Sequence, residues 1–195
     1  MNTVELFCRD NAVKTKSSYE PITLRMFAFV VLRWSPFNET LSLLSSTAGW
    51  VTEEHSLFAD EASKFLDTEL KPQIEKWAND GVVERNFWKK AGDMGLMGGS
   101  VHEEFGGSGG DISFDAITAY LQAAKGDAGW GYGIQSIVIH YINAYGSEEQ
   151  KAKWLPQLVN GEKIAALAMT EPNCGSDLQA IKTHAEKDGN QYKIN

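Results

Sequence analysis

The sequence predicts an α+β fold: an N-terminal all-helical domain followed by the first strands of a truncated, β-barrel-like domain. Three observations carry that reading. Apolar residues recur at steps of three and four from Glu53 to Val159. After Gly161 the pattern shortens to runs of four to six residues with a period of two. Turn signals, Asp80-Gly81, Asn160-Gly161 and Lys187-Asp188-Gly189-Asn190, separate the segments. The boundaries that follow are an extension over 1–50, a helical domain over 51–162 and the start of a β domain over 163–195.

The first fifty residues differ in charge from the rest. They hold five Lys/Arg against four Asp/Glu, a net of +1, whereas the remainder carries 13 against 22, a net of −9. Their apolar core, Met26–Leu32, is too short for a membrane span, which takes about 20 residues. Glu5, Asp10 and Glu20 precede it, which makes a poor secretory signal and counts against the mitochondrial presequence that the Ser/Thr content would allow. We expect a disordered or spurious extension, clipped first in limited proteolysis.

From Glu53 to Trp77, Leu57, Phe58, Ala62, Phe65, Leu66, Leu70, Ile74 and Trp77 make one apolar stripe, and Pro72 predicts a kink or restart. A second helix buries Phe87, Trp88, Ala91, Met94 and Leu96, with Gly95 near its end. Val101–Gly110 is glycine-rich, but no Gly-Lys-Ser/Thr follows, so it reads as a tight crossing rather than a phosphate loop. Asp111 to Ala124 then predicts a helix with Phe114, Ile117, Leu121 and Ala124 on one side. Trp130 to Tyr145 predicts another. Ser147 is an N-cap for the next, with Gln150 completing a capping box, and Asn160-Gly161 ends it. Expected strands are Ile164–Met169, Ile181–Ala185 and Gln191–Ile194, the last two joined as a hairpin.

Composition narrows the function. The net charge of −8 argues against nucleic acid or an anionic membrane as the main partner. Cys8 and Cys174 form no disulfide framework, and His55, His102, His140 and His184 are too scattered for metal-ligand spacing. No metal site is expected.

Everything leads to Ala168-Met-Thr-Glu-Pro-Asn-Cys-Gly-Ser-Asp177. An apolar run ends at Pro172, which lacks a backbone donor, and Gly175 lets a ligand approach the backbone closely. Such a loop can seat a flat, hydrogen-bonding cofactor carrying phosphates. Ala168–Pro172 and Gly175–Asp177 closely resemble the first signature of the acyl-CoA dehydrogenase family, with Cys174 where a smaller residue is usual. Phe58, Trp77, Gly106-Gly107 and Gly146–Gln150 fall in the order this resemblance requires, and it runs from about Val51 to Asn195. His102 stands where the family often has proline, and Gln135 where it often has histidine. For Gln135 we favour helix packing over contact with cofactor or acyl chain.

The resemblance implies FAD, an acyl-CoA substrate, an electron-transferring flavoprotein as redox partner, a homo-oligomer at full length, and a bacterial cytoplasm or mitochondrial matrix. It implies oxidation of the Cα–Cβ bond of an acyl-CoA thioester. Leu167, Ala168, Met169, Thr170, Gly175 and Ser176 are its cofactor-binding positions, and Ser176 also contacts substrate. The family's catalytic glutamate belongs to a C-terminal helical domain, so no catalytic residue is assigned here, and Glu171 is read as orienting the loop. We therefore expect a fragment inactive by itself. The alternatives are an acyl-CoA oxidase or flavin monooxygenase of the same fold, or a non-catalytic scaffold.

Overall fold

The computed structural model describes residues 49–127 and 129–195. The extension expected at 1–50, with its Met26–Leu32 run, lies outside them except for Gly49 and Trp50. Helix α1 (Glu53–Phe65) opens on a capping box that the sequence reading did not anticipate. The Thr52 hydroxyl accepts from the His55 amide, and His55 Nδ1 accepts from the Thr52 amide at 3.0 Å. Because Nδ1 accepts, Nε2 carries the proton and donates to Ser113 Oγ at 2.6 Å. Two helices distant in sequence are joined there.

The interruption caused by Pro72 begins earlier than expected. The chain widens into a π turn, Leu66–Leu70, tightens to a 3₁₀ turn, Lys71–Gln73, and resumes as α2 (Ile74–Asp80). Proline cannot donate, and its ring crowds the carbonyl four residues back, so the preceding turn opens. Gly81, at φ +69°, ends α2. Helix α3 (Arg85–Asp93) buries Phe87, Trp88 and Ala91. Two expected core residues lie outside it: Leu57 is 62% exposed and Met94 38%. Each sits at the open rim of its stripe, uncovered by the described helices.

The glycine-rich stretch is a tight crossing. It carries one 3₁₀ turn, Glu103–Phe105, and folds back through Ser108 N–H to Gly98 and Gly109 N–H to Val101. A Cβ at Gly107 would stand 2.1 Å from the Val101 carbonyl oxygen, so only glycine fits. Helix α4 (Ile112–Ala124) packs on α1, and α5 (Tyr132–Tyr145) packs on α6 (Glu148–Val159). The Ser147–Gln150 capping box forms as the spacing predicts. An aromatic cluster fills the centre, with Trp130 ring centroids 5.2 Å from Phe87 and 5.1 Å from Tyr132.

After α6 the chain changes character. The run 164–169 forms no ladder among the described residues. Ile164 and Ala165 pack against the core, and the run beyond them has no backbone partner among the described residues. The antiparallel hairpin is β1 (Ala185–Asp188) and β2 (Gln191–Ile194), in register Ala185↔Ile194 and Asp188↔Gln191. The strand expected at Ile181–Ala185 thus begins at its last residue. Its turn is Gly189-Asn190, with only Gly189 at positive φ (+59°), as a type II′ hairpin requires.

Candidate functional site

The polar loop is built from three short constraints. Glu171 and Cys174 exchange backbone hydrogen bonds at 3.0 and 3.1 Å, closing a turn over Pro172 and Asn173. The Cys174 thiol, 4% exposed, donates to the Asp177 carbonyl at 3.0 Å, so it packs inside the loop as a small residue would. The Asp177 carboxylate accepts from Gln179 N–H at 3.2 Å and caps the 3₁₀ turn Leu178–Ala180.

Glu171 ties this loop to the chain entering β1. Its carboxylate accepts from the amides of Lys182 at 2.9 Å and Thr183 at 2.8 Å. The Thr183 side chain, with these two amides, holds the Glu171 carboxyl below its ordinary value. A carboxylate so engaged is a weak base and a good strut.

The six sequence-predicted positions, Leu167 to Thr170, Gly175 and Ser176, are all exposed. Backbone groups of residues 166–170 find no partner among the described residues, and neither do the Thr170 and Ser176 hydroxyls. Nothing lies within 4 Å of a Cβ placed on Gly175, and its φ is not positive. Neither the backbone nor a neighbour demands glycine there. These residues fit a flat ligand that accepts hydrogen bonds from exposed amides and donates them to exposed carbonyls, with a bare backbone beside it.

Behind the run stands Gln135, fully buried on α5. Its Nε2 donates to the carbonyls of Leu158 at 2.8 Å and Lys163 at 3.0 Å, and its Oε1 accepts from the Ala165 amide at 2.7 Å. It packs in the helical body, as expected, but its partners are backbone groups of the segment leading to the loop. Sequence reasoning missed that, because the partners lie 23 to 30 residues away.

A second feature went unread. An open cleft of about 380 Å³ lies where α4, the turn after it and α5 meet, lined by Ala119, Ala123, Trp130, Gly133, Ile134 and Ile137 among others. Its polar rim is ordered: Gln122 Nε2 donates to Asp127 at 2.8 Å and to the Trp130 carbonyl at 2.6 Å. Gly133 has an ordinary φ and no atom within 4 Å of its would-be Cβ. A helical glycine that neither packing nor backbone requires is the signal that could have revealed the cleft, since glycine costs a helix up to about 1 kcal/mol relative to alanine.

Among the described residues no helix is long and apolar enough to cross a membrane, and no three His, Cys, Asp or Glu are placed to hold a metal ion.

Residues 52–162 match the family described as "Acyl-CoA dehydrogenase, N-terminal domain". The long-chain specific acyl-CoA dehydrogenase of Sus scrofa mitochondria is 43% identical over 145 residues, 74% of this chain and 34% of that protein. The crystal structure of an acyl-CoA dehydrogenase from Geobacillus kaustophilus aligns at a TM-score of 0.73 and 41% identity, covering 76% of this chain and 40% of that one. An acyl-CoA dehydrogenase from Bacillus anthracis, complexed with FAD, aligns at 0.68 and 34% identity, covering 76% and 27%. The chain spans about a third of the length of the curated relatives it matches.

Proposed function

Since the chain belongs to the acyl-CoA dehydrogenase family, we propose that it forms part of an FAD-dependent enzyme that oxidises the Cα–Cβ bond of acyl-CoA thioesters. Residues 51–162 act as its helical domain and 163–195 open its β domain. The observation that carries the flavin reading is the exposed run 166–170, whose backbone has no partner among the described residues and which leads to a Gly175 that the fold does not require.

Leu167, Ala168, Met169 and Thr170 would offer backbone groups and the Thr170 hydroxyl to the isoalloxazine ring. Gly175 and Ser176 would lie near the pyrophosphate, with Ser176 also reaching the CoA moiety. When bound, FAD supplies the hydride acceptor that no side chain offers. The chain's own contribution is to present the loop and to keep it rigid through Glu171, Cys174 and Asp177. Glu171 serves as a strut, because both its oxygens are engaged by backbone amides. None of the described carboxylates is assigned as the base at the α-carbon, and we expect that the chain alone turns over no acyl-CoA.

We place the acyl tail in the cleft lined by Gly133, Ile134 and Ile137, whose walls are mostly apolar. An electron-transferring flavoprotein would take the electrons, in a bacterial cytoplasm or a mitochondrial matrix, and the working enzyme would be a homo-oligomer. The test is spectroscopic. FAD bound to the enzyme should lose its visible absorbance when an acyl-CoA is added without oxygen, and transfer the electrons to a dye. FAD that stays oxidised under saturating acyl-CoA of every chain length would reject the dehydrogenase reading.

A further inference from the structure

Resting on the flavin reading above, we propose that Gln135 is a positioning residue of the cofactor site: its side-chain amide fixes where the 166–170 run leaves the helical body, without touching a ligand. The exposed run is suspended between two anchors. At its far end Glu171 pairs with Cys174. At its near end the last hydrogen bond is Ala165 N–H to Gln135 Oε1, at 2.7 Å. Between them residues 166–170 have no partner among the described residues, so the two anchors set their placement.

The chemistry of the near anchor is demanding. It needs two donors for the Leu158 and Lys163 carbonyls and one acceptor for the Ala165 amide, from one buried group. A primary amide supplies that combination, and asparagine is a methylene too short. The partners also fix the amide's orientation, since turning it over would set oxygen against two carbonyls and nitrogen against an N–H. The Leu158 carbonyl has a second donor in the Gly161 amide at 3.3 Å. The Lys163 carbonyl and the Ala165 amide have only Gln135 among the described residues. Removing the amide therefore frees the Lys163 carbonyl and the Ala165 amide, the last hydrogen bond before the run, and leaves the α6 end held.

The segment before it is held independently of Gln135. Arg85 Nη2 donates to the Glu162 carbonyl at 2.5 Å, and Lys163 N–H donates to the Gln157 carbonyl at 2.8 Å. A Cβ on Gly161 would stand 2.0 Å from the Trp88 carbonyl oxygen, so the turn after α6 is seated on α3. Gln135 acts beyond that seat, at the last point before the run departs. Its loss should disturb the run and leave the helices packed.

The test compares Gln135→Glu and Gln135→Met with the wild type in the full chain, by FAD titration and by amide hydrogen exchange. Glutamate keeps the shape and the acceptor for Ala165, but its charged form opposes both carbonyls. Burial raises a carboxyl's pKa, and the protonated form regains one donor. Wild-type FAD affinity should be the same at neutral and mildly acidic pH. The Glu variant should bind FAD at least about tenfold more weakly at neutral pH and recover most of that on acidification, whereas the Met variant stays weak at both, a factor of ten being about 1.4 kcal/mol. Without FAD, both variants should exchange the amides of 165–170 faster at neutral pH, with unchanged far-UV circular dichroism. Variants that bind FAD like the wild type, or weak binding that ignores pH and accompanies loss of helix, would overturn the positioning role. Wild-type protein that takes up no FAD would overturn the cofactor reading instead, and this proposal with it.

Discussion

Glu171 shows how a side chain that looks catalytic in sequence can be structural in space. A glutamate beside a flavin-like signature invites assignment as a base. Its two oxygens instead receive the Lys182 and Thr183 amides, and the Thr183 side chain together with these amides holds its carboxyl below the ordinary value. The sign of the pH dependence follows. A depressed carboxyl gives order that is fully present above the unfolded value and is lost as pH falls through the folded one. The Lys182 and Thr183 amide resonances should therefore titrate together, with a midpoint below that of an unstructured glutamate; a midpoint at or above it would refute the strut. Ser176→Ala should weaken FAD binding by about 1–2 kcal/mol, the scale of a hydrogen bond to a charged group. An unchanged dissociation constant would assign the phosphate contact to backbone amides alone. The turn at 171–177 was legible because its signals are local. The partners of Asp115 and Gln135 were not, since each is a polar residue in an apolar helix and they arrive from other elements: Ser100 N–H and Tyr132 for the first, residues 158–165 for the second.

Helices were legible because their signals are local too. Caps at Ser147 and Gly81 and the stripes from Ala62 to Trp77 fall where the spacing puts them. Pro72 marked a break without showing that the π turn before it would absorb the strain. The strand at 164–169 failed for a physical reason. An apolar run says that residues avoid water, but a strand also needs a neighbour, and sequence periodicity does not supply one. Glycines give the sharpest tests at this scale. Gly161→Ala places a Cβ 2.0 Å from the Trp88 carbonyl at φ +72°, and should destabilise the fold by about 2–4 kcal/mol in denaturant titration. Gly175→Ala should change stability by less than about 0.5 kcal/mol yet weaken FAD binding. Equal stability losses would mean that Gly175 serves the fold after all. Gly133→Leu should leave the fold intact and shift acyl-CoA preference toward shorter chains. Unaltered chain-length preference would remove the cleft from the substrate path.

At the scale of the molecule, the described chain is a packed helical body with an exposed hairpin joined to it by one loop. Helices α1 and α4 are linked through His55 and Ser113, and α5 and α6 through Gln135, around the Trp130 cluster. The hairpin is exposed along both strands, so its order comes from its own register and from Glu171. The described chain is thus a stable body carrying a thinly supported polar loop, which the flavin proposal makes the cofactor's seat. Titration of the chain with FAD, followed by amide chemical shifts, tests it most directly. The resonances of residues 167–170, 175 and 176 should move first and furthest, with α1 to α4 nearly still. Shifts confined to the helical body, or none at the loop under saturating FAD, would contradict the account.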